Sequence, residues 1–409
     1  MRVPLLDLAP QYGVLADEIR RQIDEVLSTQ RFILGPKVKA FEAALAALCG
    51  RGTVIGVSSG TDGLLAILMA LGIGRGDAVI TSAYTFFATA ACAVRLGARP
   101  AFVDIEPSTY NLSPAALRRF LSQRCERRDG GLFLRNSGER VRAIIPVHLY
   151  GLCCDMVAID AVAREFGVPV IEDAAQAIGA EYPFIDGVRV AGTMSLTGFF
   201  SFYPSKNLGA AGDAGAVICE DADLANRITV LREHGMRPRY YHEIVGGNFR
   251  LDEIQAAILQ VKLPHLKEWA GARRAAADFY REQFVKAHLT NVITAPAEPY
   301  RGKVEQHHVY HQFVIRTPER DALRKHLAEQ DIGSEIYYPL GLHLQACFRD
   351  LGYREGDLPE TERAAKETLA LPIYPELSRD AQSYVVSAIR GFFSQSGARP
   401  LKGQTTCDL

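Results

Sequence analysis

The sequence has almost no net charge and no long apolar run. Its 409 residues include 46 Lys and Arg against 47 Asp and Glu, a formal charge of −1, whereas a dedicated nucleic-acid-binding protein concentrates basic charge. No stretch approaches the roughly 18 consecutive apolar residues that span a bilayer. Asp7 and Pro10 interrupt the N-terminal segment where a secretory signal needs an apolar core. These absences predict a cytoplasmic protein that has neither nucleic acid nor a membrane as its partner.

The Cys-x-x-Cys spacing of zinc and redox sites is also missing. None of the eight cysteines belongs to a Cys-x-x-Cys motif, and several lie inside apolar runs, so we predict small buried side chains and neither a disulfide framework nor a zinc site. The densest histidine cluster is His307, His308 and His311. Its apolar, β-branched surroundings predict a strand over 308–316 that places His307 and His311 on one face. The run from 306 to 316 contains no carboxylate or cysteine, so we predict no metal site there.

Apolar runs alternate with amphipathic segments in the first half of the chain. Two helices come first, the second predicted from Pro36 to Cys49. Strands are then predicted at 53–57, 78–81, 100–105, 142–148 and 168–173, with helices at 61–73, 85–97 and 155–167 and one that begins at Ser113-Pro114. Short apolar strands that alternate with helices are typical of a mostly parallel α/β sheet.

The pattern changes after about residue 250. Residues 250–290 are almost continuously helical, and the strand over 308–316, a helix over 318–329 and a last helix near 378–392 follow. Chains longer than roughly 250–300 residues tend to divide their core. We therefore predict a large α/β domain over 1–250, which includes the N-terminal helices, and a smaller α+β domain over 251–394. Residues 124–140 are predicted to form a charged surface excursion and residues 395–409 a disordered tail.

The common glycine-rich phosphate motifs are absent. Neither Gly-x-Gly-x-x-Gly nor Gly-x-x-x-x-Gly-Lys-Ser/Thr occurs, which argues against a dinucleotide enzyme and a P-loop NTPase. GIGRGD at 72–77 follows a helix and precedes a strand, so it predicts a helix end and a turn. SSGTDG at 58–63 has the opposite order, strand then helix, which points free backbone amides at an anion. We predict a phosphate-binding loop at 58–63, although ordinary α/β turns have a similar composition.

Two further residues suit chemistry at one edge of such a sheet. Asp173 ends an apolar strand, where ligands of α/β sheets bind, but an ordinary helix N-cap would have the same pattern. Lys206 lies between aromatic residues and glycines in GFFSFYPSKNLGAAGDAGAV, and such surroundings lower the pKa of an amine and make it nucleophilic. A phosphate loop, a strand-end carboxylate and a desolvated lysine are the parts that pyridoxal 5'-phosphate (PLP) requires.

The order of these segments resembles the DegT/DnrJ/EryC1/StrS family of PLP-dependent sugar-nucleotide aminotransferases, which have the aspartate-aminotransferase-like fold type I. The likeness covers roughly residues 3–392. It is carried by LLDLAPQY, ILGPKVKAFE, SSGTDGLLA, GDAVITSAYTFFAT, IIPVHLYG, IEDAAQ, SFYPSKNLGA, GGNFRLDEIQAAIL and LPIYP, in that order. The resemblance implies an α/β large domain with a mostly parallel mixed sheet, a smaller C-terminal α+β domain, and PLP as the cofactor.

The resemblance also implies roles for individual residues. Lys206 would carry the cofactor covalently and later move the proton, and Asp173 would pair with the ring nitrogen. The further cofactor contacts that it implies are Gln176 at the phenolic oxygen, Phe86 stacked on the ring, Gly60, Thr61, Asp62 and Ser201 at the phosphate, and Asn248 at the phosphate of the neighbouring subunit in a homodimer. Ala214 stands where many relatives have Gly, a small departure in the lysine loop.

The implied activity is amino transfer from an amino acid, glutamate, to a keto-sugar nucleotide for glycan or secondary-metabolite biosynthesis. The phosphate loop and segment 232–257 resemble relatives that act on 3-keto sugars, so C3 is favoured and C4 stays open. A PLP-dependent sugar dehydratase would have His in place of Lys206, and a sensory or regulatory protein would not need Lys206 and Asp173. Segments 237–243 and 337–343 are candidate sugar contacts or simply packed turns.

Overall fold

The computed structural model describes residues 1–184 and 186–396. Its α-helices, in chain order, are α1 (Ala9–Thr29), α2 (Pro36–Cys49), α3 (Gly60–Ala70), α4 (Ala88–Arg95), α5 (Pro114–Arg124), α6 (Met156–Phe166), α7 (Ala222–Arg232), α8 (Glu253–Lys262), α9 (Leu266–Lys286), α10 (Arg320–Glu329), α11 (Pro359–Glu367) and α12 (Arg379–Ser396). Its strands are β1 (Thr53–Val57), β2 (Asp77–Ser82), β3 (Arg99–Val103), β4 (Cys125–Arg128), β5 (Gly131–Leu134), β6 (Arg140–Ile145), β7 (Ile171–Asp173), β8 (Glu181–Phe184), β9 (Gly187–Val190), β10 (Thr197–Ser201), β11 (Gly215–Cys219), β12 (Phe313–Arg316) and β13 (Thr368–Leu371).

A mixed sheet in the order β3–β2–β6–β7–β10–β11–β1 forms the centre of the larger unit. Parallel bridges from Ile144 to Val170 and from Val147 to Asp173 join β6 to β7. β11 runs antiparallel to both β10 and β1, whereas the pairs β2–β3, β2–β6 and β7–β10 are parallel. The sheet is therefore mostly parallel, and the carboxyl ends of β1, β7 and β10 lie at the same edge.

Helices cover this sheet on both faces, which is why its strands are apolar at successive positions. Val54 and Ile80 pack on one face with residues of α2, α5, α6 and α8. Ile55 and Val79, the neighbours of those two residues in the chain, pack on the other face with α3, α4 and α7. Since successive strand residues point to opposite faces, both layers draw on the same short runs of sequence.

A smaller unit is built around the antiparallel pair β12–β13. Phe313, Leu323 and Ile389 belong to a buried cluster that joins this pair to α9, α10 and α12. Val3 lies in the same cluster, and its amide donates to the Asp331 carbonyl at 2.9 Å. The first residues of the chain therefore pack with the C-terminal unit, and the division at residue 250 stays a prediction.

The predicted strand over 308–316 is wrong in its first half. The strand begins at Phe313, and the three histidines lie in an irregular segment before it. Tyr310 in this segment has a φ of 42°, a left-handed conformation that strand backbone does not adopt. His307 and His311 therefore do not share a strand face, and they contact different partners, a carboxylate and a side-chain amide respectively.

Residues 124–140, predicted to be a charged surface excursion, contain two strands. β4 and β5 form an antiparallel hairpin, and β5 joins the edge of β6 through Phe133 and Arg140. Leu132 and Leu134 are buried while the residues beside them are more exposed. This period of two is the pattern of a strand with one covered face, and it extends the sheet beyond the predicted strands.

The cysteines and the C-terminal tail are the remaining features for which the sequence predicted a location. Cysteines 49, 92, 125, 153, 154 and 219 are buried, but Cys347 is exposed, so the prediction of a buried side chain is wrong there. Cys407 and most of the predicted tail, residues 397–409, lie outside the described residues, while α12 continues to Ser396. Within 1–184 and 186–396, no helix is both long and apolar enough to cross a membrane, and no group of three or more His, Cys, Asp or Glu side chains could hold a metal ion.

Candidate active site

The amino end of α3 lies against the carboxyl end of β10. Gly60 brings the two backbones so close that a Cβ atom at this position would lie 2.9 Å from the Cβ of Ser201. A Cβ atom at Gly215 on β11 would lie 2.5 Å from the carbonyl carbon of Ser59. Because real Cβ atoms avoid such distances, glycine at both positions allows the close approach. The first turn of α3 and the Ser201 hydroxyl are thereby near enough to share one anion.

Two amides in the first turn of α3 remain free for that anion. The Asp62 amide donates to Ser59 Oγ at 3.0 Å, and the Gly63 amide donates to the Ser59 carbonyl at 2.9 Å. The Gly60 and Thr61 amides have no partner among the described residues. The Asp62 carboxylate accepts hydrogen bonds from the Ser58 and Ser59 hydroxyls at 2.6 and 3.0 Å. Asp62 thus holds the loop in shape, while Gly60 and Thr61 present the donors.

Asp173 ends β7 and is only 5% exposed. Its Oδ2 accepts a hydrogen bond from Thr89 Oγ1 at 2.8 Å, and its Oδ1 accepts one from the Ala175 amide at 3.1 Å. Burial raises the pKa of this carboxyl above its usual value, and the two hydrogen bonds and the charge of Lys206 oppose that rise. A buried carboxylate in such surroundings is stabilised by a cationic partner, which a protonated pyridine nitrogen would supply.

Lys206 follows β10 in a loop that begins beside Asp173, because Phe199 on β10 pairs with Asp173 on β7. Burial lowers the pKa of the Lys206 amine to about 8, against the attraction of the Asp173 carboxylate. Asn207 fixes the loop: its Nδ2 donates to the Val309 carbonyl at 2.7 Å, and its Oδ1 lies 3.1 Å from Nδ1 of His311. A desolvated amine on an anchored backbone is well suited to act as a nucleophile.

Gln176 joins the loop after β7 to two tyrosines. Its Oε1 accepts a hydrogen bond from the Tyr150 amide at 2.7 Å, and its Nε2 donates to the Tyr338 hydroxyl at 3.0 Å. The rings of Tyr150 and Tyr338 are stacked with centroids 6.0 Å apart. Tyr338 belongs to segment 337–343, one of the two candidate sugar contacts, so Gln176 links that segment directly to the site.

Phe86 and Asn248 both lie on the surface of the chain. Phe86 is 63% exposed, which is unusual for a phenylalanine and leaves its ring free to contact a ligand. Asn248 is exposed and follows segment 237–243, in which Tyr240 and Tyr241 are 74% and 71% exposed. The Ser58 amide donates to the carbonyl of the residue after Asn248 at 2.9 Å. The backbone directly after Asn248 therefore passes close to the phosphate loop of the same chain.

Several residues at the site were not found by sequence reasoning. Thr89 and Asn207 contact the predicted residues or their loops, as described above. His148 and Glu172 are fully buried, and Nε2 of His148 lies 2.9 Å from Oε2 of Glu172, directly before Asp173 in the chain. Arg250 has a buried Nε without a hydrogen-bond partner among the described residues. All five residues, Thr89, His148, Glu172, Asn207 and Arg250, occur inside motifs that carry the family resemblance, which was a signal that could have found them.

The groups at this edge of the sheet match the parts of PLP in kind. Free amides at Gly60 and Thr61 and the hydroxyl of Ser201 suit a phosphate, the buried carboxylate of Asp173 suits a protonated ring nitrogen, and the desolvated amine of Lys206 suits an aldehyde. The residues present therefore fit this cofactor.

Comparisons with known proteins show which family the chain resembles over its length. The profile of the DegT/DnrJ/EryC1/StrS aminotransferase family matches residues 14–390. A pleiotropic regulatory protein of Geobacillus stearothermophilus is 47% identical over 96% of this chain and 99% of its own. A UDP-N-acetyl-3-dehydro-α-D-glucosamine 3-aminotransferase of Acidithiobacillus ferrooxidans is 41% identical over 95% and 97% of the two chains. The crystal structure of Streptomyces venezuelae DesV in complex with a ketimine intermediate has a TM-score of 0.86 at 38% identity, over 96% and 98% of the two chains.

These likenesses extend over nearly the whole chain, so they bear on the complete fold and not on one motif. They confirm the predicted aspartate-aminotransferase-like α/β fold and the predicted enzyme class, that of sugar aminotransferases. The chain belongs to the DegT/DnrJ/EryC1/StrS aminotransferase family.

Proposed function

We propose that the protein uses PLP to transfer an amino group from L-glutamate to the C3 keto group of a sugar nucleotide in the cytoplasm. The observation that carries this proposal is the convergence of the Lys206 amine and the buried Asp173 carboxylate beside the free amides of α3. When bound, PLP supplies an electron sink for the carbanion next to the transferred nitrogen. The product would be an amino-sugar nucleotide for glycan or secondary-metabolite biosynthesis.

Lys206 serves two roles in this proposal. Its amine would hold the cofactor, and once free it would move the proton at the carbon that carries the transferred nitrogen. A pKa of about 8 suits both roles, because near neutral pH the amine is present in its charged and uncharged forms. Asn207 keeps the lysine backbone in place during this exchange through its bonds to Val309 and His311.

The other predicted site residues hold and orient the cofactor in this proposal. Asp173 keeps the proton on the ring nitrogen. Phosphate binding falls to the amides of Gly60 and Thr61 and to the Ser201 hydroxyl, with Asp62 supporting the loop. Gln176 lies toward the phenolic oxygen and Phe86 against the ring, two positions that rest on the family resemblance.

Amination at C3 is supported by the Acidithiobacillus relative, whose name places the transferred amino group at carbon 3. A pocket shaped for one carbonyl presents its neighbour badly, because reacting atoms must approach to about 3–3.5 Å. The 3-keto and 4-keto forms of one nucleotide sugar, each supplied with glutamate, distinguish the two positions. Faster amination of the 4-keto form would overturn the assignment to C3 and leave the aminotransferase assignment intact.

Two other functions are less well supported. A PLP-dependent sugar dehydratase of this family would have histidine at the position of Lys206. The Geobacillus relative is called a regulatory protein, but a purely regulatory role gives no reason to keep Lys206, Asp173 and the free amides of α3 together.

We also propose that the enzyme is a homodimer with composite sites. Asn248 is exposed, and the segment before it presents the exposed side chains of Tyr240, Tyr241 and Val245. Apolar surface of this kind is typical of a contact between subunits. In this arrangement Asn248 contacts the cofactor phosphate in the neighbouring subunit.

The purified protein provides the direct test of cofactor attachment. Reconstitution with PLP should give an absorption band of the bound cofactor. Borohydride should then attach the cofactor permanently to the protein, and peptide mapping should find it on Lys206. Lys206→Ala should lose both the fixed label and turnover. Lys262 is a matched control, since burial lowers its pKa as well and its Nζ donates to the Gly209 carbonyl at 2.7 Å. Fixation of the cofactor at Lys262, or retained fixation in Lys206→Ala, would contradict the proposal.

A further inference from the structure

The carboxylate of Asp173 receives a hydrogen bond from α4, a helix to which none of the predicted site residues belongs. Thr89 Oγ1 donates to Oδ2 of Asp173 at 2.8 Å across 84 positions of sequence. Thr89 is 2% exposed and Asp173 is 5% exposed, so water does not compete for this bond. The hydroxyl is therefore a fixed partner of the carboxylate.

A second threonine orients this hydroxyl. Thr85 Oγ1 lies 3.3 Å from Thr89 Oγ1, and Thr85 is 2% exposed. A carboxylate only accepts hydrogen bonds, and a hydroxyl has a single hydrogen to donate. Because Thr89 directs its hydrogen to Asp173, Thr85 must be the donor of the pair. The hydroxyls of Thr85 and Thr89 thus form a directed chain that ends on the carboxylate.

We propose that Thr89 is a positioning residue for transamination: its hydroxyl keeps the Asp173 carboxylate ionised and oriented, so that Asp173 can hold the proton on the cofactor ring nitrogen. This inference rests on the proposed function. Thr89 acts through Asp173 and requires no contact with the cofactor or the substrate.

Few interactions favour the ionised form of Asp173, so the hydrogen bond from Thr89 has a large share in keeping its carboxylate ionised. Burial favours the neutral acid, and among the described residues two direct hydrogen bonds, from Thr89 and the Ala175 amide, favour the ionised form. Hydrogen bonds to charged groups are about twice as strong as those between neutral groups. The titratable groups that also act on this carboxyl are Lys206, His148, Cys92, Cys154 and Tyr338. They are unchanged by a substitution at Thr89, so its effect can be measured against a constant background.

A purely structural role for Thr89 predicts a different outcome. Loss of a buried hydroxyl anywhere in the protein lowers stability, but only the proposed role changes the properties of the bound cofactor. Thr361 is a matched control, because it is fully buried and its Oγ1 donates to a carboxylate oxygen of Asp104 at 2.8 Å, and Asp104 is not among the residues predicted to hold the cofactor. Thr361→Val and Thr89→Val remove the same kind of bond from two different carboxylates.

The experiment compares wild type, Thr89→Val, Thr89→Ser and Thr361→Val after reconstitution with PLP. The absorbance of the bound cofactor is titrated with pH, and kcat and KM are measured for the half-reaction with glutamate. A ring nitrogen that holds its proton less firmly withdraws less electron density from the rest of the cofactor. The pKa values of the other ionisable groups of the cofactor therefore rise. Thr89→Val should raise the midpoint of the titration by about one pH unit and lower kcat about tenfold, the factor that corresponds to one pKa unit.

Thr89→Ser keeps the hydroxyl and should titrate like wild type, as should Thr361→Val. An unchanged midpoint in Thr89→Val, or an equal shift in Thr89→Ser or Thr361→Val, would overturn the inference. If Thr89→Val does not fold, Thr89→Ala with Thr361→Ala as its control is subject to the same criteria. A wild-type protein that takes up no PLP contradicts the proposed function itself, which separates that failure from a failure of the inference.

Discussion

Lys206 owes its chemistry to desolvation at the end of β10. Burial lowers the pKa of its amine from 10.5 to about 8. Only the uncharged amine attacks an aldehyde, so the rate at which apoprotein captures PLP should rise with pH around a midpoint near 8. Stopped-flow absorbance across this pH range measures the midpoint. The same measurement with butylamine, a freely solvated amine, gives the pH dependence that an exposed lysine would have. A midpoint for the apoprotein equal to that of butylamine would contradict the desolvation of Lys206.

Asp173 should matter for chemistry more than for folding. Because burial raises the pKa of its carboxyl, ionisation of Asp173 at neutral pH lowers the stability of the folded protein, and that cost disappears in Asp173→Asn. We expect this variant to unfold in urea near the wild-type midpoint and to retain PLP. Turnover should fall at least about a hundredfold, since each unit of pKa corresponds to about tenfold in rate.

Measurements of the urea midpoint and of kcat on the same Asp173→Asn preparation check both halves of this prediction. Turnover near the wild-type level would remove the basis for the role of Asp173 in holding the ring proton. A large loss of stability would show instead that the carboxylate mainly maintains the fold.

At the scale of elements, the site depends on how closely α3 approaches β10 and β11. A Cβ atom at Gly215 would meet backbone atoms of Ser59 and Gly60 at 2.5–2.6 Å, and backbone atoms cannot move aside as a side chain can. Gly215→Ala should therefore displace the first turn of α3, at a cost of about 1–3 kcal/mol in unfolding free energy. Its affinity for PLP should fall by at least about tenfold, as measured by equilibrium titration.

Gly13 provides the matched control for this substitution. It lies in α1, and a Cβ atom there would have nothing within 4 Å. Gly13→Ala should leave PLP affinity unchanged and increase stability slightly, because alanine is favoured over glycine within a helix. If Gly215→Ala binds PLP as tightly as Gly13→Ala, the close approach of α3 is not needed for the phosphate site.

The segment before β12 also shows what decides structure at this scale. Its apolar and β-branched composition favours a strand, but the amides of Val309 and Gln312 donate to the carbonyls of Gly151 and Tyr150, at 3.0 and 3.4 Å. These bonds tie the segment to the loop after β6 instead of to a strand of its own sheet. Local propensity is a weak preference that tertiary contacts override.

At the scale of the whole molecule, we predict that active sites are shared between two subunits. Lys206→Ala and Asn248→Ala should each be strongly impaired alone. After subunit exchange, mixed dimers should regain activity, because one of their two composite sites contains both an intact Lys206 and an intact Asn248. The specific activity of the mixture, compared with each variant alone, measures this complementation.

Mixed dimers of Lys206→Ala with Asp173→Asn are the control for complementation. Lys206 and Asp173 lie in the same site of one chain, so each of the two sites in this mixed dimer keeps one defective residue. This pair should therefore regain no activity, and activity from it would show that Lys206 and Asp173 of one site come from different chains. An absence of complementation for Lys206 and Asn248, after confirmed exchange, would argue that each site is built within one chain.

The sequence by itself determined the class of fold, the order of most helices and strands, and the identity of Lys206 and Asp173 as the central candidates. Side-chain periodicity marks helices and strands within a few residues. A strand-end carboxylate and a lysine among aromatic residues and glycines are likewise local patterns. These residues already suggested PLP, and the resemblance to a family added the enzyme class. The comparisons confirm the enzyme class in full and the cofactor in part.

Only the tertiary structure decided which distant residues support those candidates. The bond from Thr89 to Asp173, the approach of Gly60 to Ser201 and the anchoring of Asn207 by Val309 join residues that lie 84, 141 and 102 positions apart. Such contacts depend on the register of whole elements against one another, and no local pattern encodes that register. The same reason explains why the histidine segment could not be assigned from its composition: its backbone partners belong to a loop more than 150 positions earlier in the chain.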